Sequence, residues 1–381
     1  MEQRGTTVAP LADLEDLREV VSRPGPFLTD YAAFEPATES LAAEVRVRWE
    51  NRRRALAEAG ASEAALEAAA AALEGEHRGV AGLAMVVPGS GAPLIERLPA
   101  PTRETSSWQE SPALRPLIAL RQRHVPHVVA LVDRIGADLR AWTGSEAGGR
   151  DIDMTVDGDD DVITKVAPGG WSQRRFQQRA EDSWQHNMTQ VATQLTALAE
   201  RLRAQVVAVG GDERAIGYLV DALPGEVRKR VERIGVTRAE DGSAERLTAE
   251  VNAELAAWST ARVDAALALH AEELGQDDRA TEGAARTLEA LRTSRVALLL
   301  VAERAGDEAE ARRAWAGPTR DQIATTAGDL ADPDAAEEVP LLDGAVTAAL
   351  ASGAGVLVVP EAGDGSLPPQ LTDGLGALLR W

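Results

Sequence analysis

The chain has 381 residues, of which 44% are hydrophobic, and a formal net charge of −21. A chain of this length is expected to form two or three domains with ordinary hydrophobic cores. It contains no cysteine, which excludes disulfides and thiolate-bound zinc, and its acidic balance argues against simple nonspecific nucleic-acid binding, which depends on neutralising phosphates.

Residues 1–118 are predicted to form an N-terminal α+β domain. Glycines end two of its predicted helices, and Ser62 is a suitable N-cap for the third. A strand pair is expected around Pro88-Gly-Ser-Gly91, and four prolines predict a loop-rich segment over 99–116. The predicted helices are 11–20, 39–59 and 62–74, and the predicted strands are 81–87 and 94–98.

The second of these helices has a basic segment over residues 44–54, where arginines exceed acids by three. One interpretation is internal pairing, because Glu44, Arg48 and Arg52 share a helix face at i, i+4 spacing. The other is a patch that contacts an RNA backbone. The arginines concerned are Arg46, Arg48, Arg52, Arg53 and Arg54.

Residues 119–240 are predicted to form a middle α/β domain. Its clearest element is a long helix after residue 170, because apolar residues recur in steps of three and four from Phe176 to Leu202. Gly210-Gly211 follows a strand but lacks the remaining residues of a phosphate-binding loop, so a tight turn is expected. The predicted strands are 128–133, 137–143, 152–156, 162–166 and 205–209, and a further helix ends at Leu223.

Residues 241–381 are predicted to form a third, α/β domain that holds most of the surplus acid. Helices and buried strands alternate, which is typical of a mostly parallel sheet with helices on both faces. A strongly acidic domain is suited to a basic protein partner. The predicted helices are a long one from 243, then 281–292 and 341–351, and the predicted strands are 295–302 and 355–359.

The start of the long middle helix has an unusual charge. Pro168-Gly169-Gly170 leads directly into it, and Arg174, Arg175 and Arg179 come before the first acid at Glu181. A helix N-terminus already has partial positive charge, so arginines there are unfavourable unless an anion neutralises them. Gly169 and Gly170 let the backbone approach such a ligand closely. The alternative is an ordinary turn followed by a solvated helix face.

The same segment resembles the Gly-Gly-Gln loop and following helix of archaeal and eukaryotic class-1 release factors. Two segments of the third domain, starting at Gly283 and Gly374, also resemble that family in order and spacing. The chain is identified as a member of the bacterial archaeo-eukaryotic release-factor-like group, whose relatives include Pelota and the hibernation factor Balon. The matching positions in the loop and helix are Gly169, Gly170, Ser172, Arg175, Phe176 and Arg179.

This resemblance implies a ribonuclease-H-like middle domain and a third domain with the fold of kink-turn-binding ribosomal proteins. It implies a factor that binds rRNA of the 70S ribosome in the A site, acting in hibernation or rescue. The loop, with Trp171, Ser172 and Gln173, would face the peptidyl-transferase centre, and the arginines at 46–54 would lie near the decoding centre. The third domain would contact a translational GTPase or a basic ribosomal protein. Residues 1–115 do not match the family's codon-reading motifs, so stop-codon recognition is not expected.

The family's catalytic glutamine position holds Trp171, whose indole cannot orient a water as an amide does. We therefore expect a binder without peptide release. If the loop is rearranged, Gln173 supplies the missing amide, and the protein is then a codon-independent peptidyl-tRNA hydrolase. A third possibility is an adaptor that never enters the ribosome.

No other motif predicts a cofactor or a metal site. His124 and His127 have ligand-like spacing, but Pro126 lies between them and no paired acid follows. The acidic run 157–161 lacks the residue placement of a calcium loop. The N-terminal residues have no apolar signal region, and the longest apolar run is too short to span a bilayer. We expect a cytoplasmic protein without membrane or DNA contacts.

Overall fold

The computed structural model describes residues 12–34, 41–74, 81–100, 102–142, 152–157, 171–235, 244–276, 279–361, 368 and 371–381. At 41–44, 152–153, 157, 171–183 and 244–246 it describes the backbone alone. Contacts divide the chain into two compact units. One comprises the chain up to Arg123 together with Ser259–Trp381, and the other is His124–Trp258. No helix in the described ranges is long and apolar enough to cross a membrane.

The N-terminal part of the first unit is built on an antiparallel sheet in the order β3-β2-β1-β4. Every residue of β2 is buried, whereas the second half of the edge strand β3 alternates between exposed and buried residues. Ser62 caps α3 as predicted, its hydroxyl accepting from the Ala65 N–H at 3.3 Å. The elements are α1 Glu15–Val21, β1 Phe27–Ala33, α2 Leu41–Glu58, α3 Glu63–Leu73, β2 Gly82–Pro88, β3 Leu94–Leu98, β4 Thr105–Gln109 and α4 Arg115–Arg123.

The second unit is a five-stranded sheet in the order β7-β6-β5-β8-β9. Strand β6 pairs antiparallel with both β7 and β5. Strand β8 pairs in parallel with β5, and β9 pairs in parallel with β8. Helix α8 leaves this unit and ends in the first one. The elements are β5 His127–Val132, β6 Gly136–Trp142, β7 Ile152–Asp157, α5 Trp171–Arg201, β8 Val206–Gly211, α6 Glu213–Ala222, α7 Gly225–Arg228, β9 Val231–Arg233 and α8 Ala244–Gly275.

The C-terminal part of the first unit contains two sheets, in the orders β10-β16-β11-β15 and β13-β12-β14. Helix α11 is buried along ten of its residues, as expected of an alanine-rich helix inside a core. The elements are β10 Ala280–Glu282, α9 Ala284–Arg292, β11 Val296–Ala302, α10 Gly306–Glu310, β12 Arg313–Ala316, β13 Ile323–Ala324, β14 Glu337–Pro340, α11 Leu341–Ala351, β15 Gly355–Val359 and β16 Leu375–Leu379.

The larger of these two sheets is not mostly parallel, so that prediction was wrong. Only β11 and β15 pair in parallel, while β16 inserts antiparallel between β11 and β10. The five residues of β16 are all buried, and a uniformly buried strand gives no sign in the sequence of its direction.

Three further predictions needed correction. The predicted helix 281–292 starts only at Ala284, because Gly283 adopts a positive φ of 75° and Asp373 caps the Ala284 N–H at 3.1 Å. The segment 99–116, predicted to be loop-rich, contains the strand β4, which pairs with β1. The sequence interpretation also missed α4, which runs across the predicted boundary between 118 and 119.

Helix α4 packs against the C-terminal part of the first unit. Both backbone groups of Val358 on edge strand β15 hydrogen-bond to the Gln122 side chain, at 2.8 and 2.9 Å. Apolar residues of α4 and of α9 and α11 belong to a single buried core. The residues before 123 and after 259 therefore share one hydrophobic core. The predicted division into domains 1–118, 119–240 and 241–381 stays a prediction about separate folding units.

Candidate nucleic-acid interface

The C-terminal half of α5 is fixed on the core of the second unit. Its apolar stripe, which includes Met188, Val191 and Leu195, is fully buried against the sheet. Just before it, Asn187 is buried, and its Nδ2 donates to the Arg134 carbonyl in the β5–β6 turn at 3.3 Å. The direction of the helix is therefore set from residue 187 onward.

The N-terminal half of α5 holds the predicted site. The helix begins at Trp171, and the first buried residue among its described side chains is Asn187. Residues 171–186, which precede Asn187, extend about 24 Å along the helix axis at 1.5 Å per residue. The first turn contains no acidic residue. The partial positive charge of the free N–H groups is therefore not offset by acids within that turn, an arrangement that favours an anion.

The backbone places several predicted site residues in the first turns of α5. Trp171, Ser172 and Gln173 open the helix, and Arg174, Arg175 and Arg179 follow. Serine is a common N-cap residue, but the helix already includes Trp171, so Ser172 lies within the helix and does not cap it. Gly169, Gly170 and the predicted strand 162–166 lie outside the described residues.

The second predicted patch, on α2, is largely engaged with carboxylates. Arg52 Nε donates to Asp30 at 2.8 Å, and Arg52 and Arg48 each approach Glu104 at 3.3 Å. Arg53 pairs with Glu63 of α3. These contacts hold α2 against β1, β4 and α3, whereas Arg46 is exposed to solvent.

Asp30 explains why Arg52 lies where it does. The Asp30 carboxyl is completely buried in the middle of β1, and this burial raises its pKa to about 6, although Arg52 acts in the opposite direction. A buried carboxylate needs a paired cation to remain charged. Arg52 is thus a structural partner of Asp30, and the Glu44 side chain with which the sequence predicted a pairing lies outside the described residues.

Gly210 and Gly211 were predicted to form a tight turn, but they are the last two residues of β8 and pair with Leu131 and Val132 of β5. Gly211 has a φ of 126°, and a Cβ there would lie 1.8 Å from the Val132 carbonyl oxygen. Asp212 then caps α6 by accepting from two backbone N–H groups. Within the residues that the structure describes, no group of three or more His, Cys, Asp or Glu side chains is arranged to hold a metal ion.

The sequence interpretation passed over one basic run. Arg228, Lys229 and Arg230 are consecutive, and they lie just before edge strand β9 of the second unit. Three adjacent cations are a visible signal in a chain with a net charge of −21.

Comparisons with known proteins gave one match to the middle of the chain and others to nearly its whole length. The model of bacterial archaeo-eukaryotic release factor family 2 matches residues 126–276. An uncharacterized protein of Mycobacterium tuberculosis, found in strains H37Rv and CDC 1551, is 28% identical over 376 residues, which is 96% of each chain.

Solved structures with a likeness to this chain include two of Pelota. The Archaeoglobus fulgidus protein is 16% identical, with a TM-score of 0.33, and the match covers 98% of this chain and 94% of that one. A model of ribosome-bound archaeal Pelota with ABCE1 gives 15% identity, a TM-score of 0.42, and coverage of 98% and 95%. The segment that matches the model of bacterial archaeo-eukaryotic release factor family 2, residues 126–276, contains the whole of α5.

Proposed function

We propose that this protein is a ribosome-associated translation factor that enters the A site of idle or stalled 70S ribosomes. Its role is hibernation or rescue without peptide release. The observation that supports this most is the release-factor family match over 126–276, because that segment includes the arginine-rich start of α5. In this proposal the middle region has the ribonuclease-H-like fold and reaches toward the peptidyl-transferase centre.

The rRNA contacts of this proposal are concentrated at the start of α5. Gly169, Gly170 and the residues that follow them would meet phosphates, and a helix N-terminus with added arginines suits that ligand. On α2, the exposed Arg46 is the direct candidate. Arg48, Arg52 and Arg53 would act mainly by holding α2 in place, since each already faces a carboxylate.

The partner of the acidic C-terminal region would be a protein. Exposed acids cluster around β14 and the turns before it, at Asp329, Asp332, Asp334, Glu337 and Glu338. Such a surface repels RNA and attracts basic protein surfaces. We propose that residues 241–381, with the fold of kink-turn-binding ribosomal proteins, contact a translational GTPase or a basic ribosomal protein.

The first test is association with ribosomes. The full-length protein is expected to co-sediment with vacant 70S ribosomes, and the bound fraction should fall as salt is added, because the contacts release counterions from phosphates. Pelleting through a sucrose cushion over a salt series measures both. If the protein stays in the supernatant at low salt, the ribosomal proposal is lost and the adaptor alternative is favoured.

The second test separates the binder from the hydrolase. The wild-type protein is expected to release no peptide from peptidyl-tRNA in the P site, since Trp171 replaces the water-orienting amide. Trp171→Gln is expected to create weak release, and Gln173→Ala should leave ribosome binding nearly unchanged. A single-turnover release assay, with an authentic release factor as the positive control, distinguishes the binder from the hydrolase. Wild-type release near that of the control, silenced by Gln173→Ala, would instead establish the hydrolase.

A further inference from the structure

One end of the five-stranded sheet in the second unit brings together residues that are distant in sequence. In the strand register, Trp142 lies beside His127, His127 beside Val206, and the next residue of β8 beside Val231. Neighbouring strands are about 4.8 Å apart, so this edge spans about 14 Å from β6 to β9. Arg230, directly before β9, lies at the same end.

The aromatic part of this edge is Trp142, the last residue of β6. Its ring stacks on His127, with 5.8 Å between ring centroids and 8° between the planes. His127 is buried, and its Nδ1 lies 2.9 Å from the Val125 carbonyl oxygen, which holds the imidazole in place. Trp142 itself is 39% exposed. The indole is therefore both oriented and accessible, as a base-stacking surface requires.

The basic part consists of the three cations before β9. Arg230 Nη1 donates to the Ala204 carbonyl at 3.0 Å, and Arg228 donates to the Asp221 and Leu223 carbonyls at 2.6 and 3.0 Å. These acceptors are neutral, so they orient the guanidinium groups without cancelling their charge. Lys229 pairs with Glu226, but both side chains are more than two-thirds exposed, and such pairs are weak.

We propose that this strand-end surface, defined as Trp142, Arg228, Lys229 and Arg230, binds single-stranded RNA. An unpaired base would stack on Trp142, and the adjacent phosphates would lie against the three cations. Base-paired RNA does not offer a free base face, so the surface selects single strands.

The strand-end surface is distinct from the start of α5. Helix α5 ends at Arg201, next to the Ala204 carbonyl that binds Arg230, whereas its first residue lies about 46 Å away along the 31-residue helix. The inference adds a second RNA contact to the proposed function. This second contact depends on the proposed function in one respect only, namely that the ribosome supplies the single-stranded RNA.

The test measures binding of a fluorescein-labelled uridine oligoribonucleotide to the full-length protein by fluorescence anisotropy at low salt. Trp142→Ala is expected to weaken binding about tenfold, the size of one base–aromatic stack, and Trp142→Phe should restore most of it. Lys229→Glu is expected to weaken binding and to lower the salt slope by about one. A blunt RNA duplex of the same length should bind less tightly than the single strand.

Matched controls distinguish this surface from other exposed groups. Trp381→Ala removes a tryptophan that is 65% exposed in the other unit, and Arg97→Glu reverses an exposed arginine there. Both are expected to bind like wild type. Failure of the wild-type protein to bind the oligonucleotide, or equal binding by Trp142→Ala and Trp381→Ala, overturns the inference. The inference is also overturned if replacing Arg174, Arg175 and Arg179 with glutamate abolishes oligonucleotide binding, because the RNA would then bind at the start of α5. This outcome is independent of the result of the ribosome assay.

Discussion

Replacing Arg174, Arg175 and Arg179 together with glutamate is expected to abolish co-sedimentation with 70S ribosomes while leaving the protein folded. Each reversal removes a cation that would neutralise a phosphate and puts an anion in its place, and phosphate contacts dominate affinity for RNA. The free protein is expected to melt at or slightly above the wild-type temperature, because acids near a helix N-terminus are favourable by about 0.3–1 kcal/mol each.

The matched control reverses three exposed arginines outside α5, namely Arg97, Arg286 and Arg292. It makes the same change in net charge, so any general repulsion from the ribosome would affect both variants equally. Loss of pelleting by the α5 variant alone supports a contact at the helix start. If the α5 variant pellets like wild type, that contact is refuted, and if it melts well below wild type, the arginines support the fold instead.

The second large effect is on stability and comes from Arg115 in α4. Its Nε donates to Asp343 on α11 at 3.0 Å, and its two Nη groups donate to Glu310 at 2.9 and 2.7 Å. Nη1 also donates to the Ala302 and Glu303 carbonyls. Burial raises the pKa of Asp343, against the opposing effect of the Arg115 guanidinium. The arginine is thus what keeps a buried carboxylate charged.

Arg115→Ala is expected to lower the free energy of unfolding by about 3–5 kcal/mol, the usual cost of leaving a buried charge without its partner. Arg115→Lys should give an intermediate loss, because an ammonium cannot reproduce the forked contacts to both acids. Urea unfolding followed by tryptophan fluorescence measures these changes. Arg123→Ala, which breaks an exposed pair with Glu303, should change stability by less than about 1 kcal/mol. Equal effects of Arg115→Ala and Arg123→Ala would contradict the structural role given to Arg115.

The sequence by itself determined the longer elements of the second unit, although it did not predict the short helix α7 or the short strand β9. The apolar stripe of α5 repeats in steps of three and four, and the buried face of the helix follows those positions from Met188 onward. The strands of β5, β6 and β8 also lie where apolar runs and glycine turns predicted them. Periodicity succeeds here because each pattern is long, and it depends on geometry within a single element.

The sequence also indicated the family and the start of α5 as a candidate site, since the glycine pair and the arginines are contiguous there. It did not reveal the partners of the α2 arginines. Asp30 lies 22 residues before Arg52, on a strand that the sequence interpretation missed, so only acids within α2 were considered as partners. A local count of charges cannot include acids supplied by neighbouring strands.

Only the tertiary structure decided how the N-terminal and C-terminal parts of the chain combine. Arg115 and Asp343 are 228 residues apart, and α4 supplies Gln122 to the edge of β15 in the same core. The direction of β16 and the strand-end surface around Trp142 depend on strand pairing of the same long-range kind. A periodic pattern specifies which face of an element is buried, but the identity and direction of the element that buries it follow from packing across the whole chain.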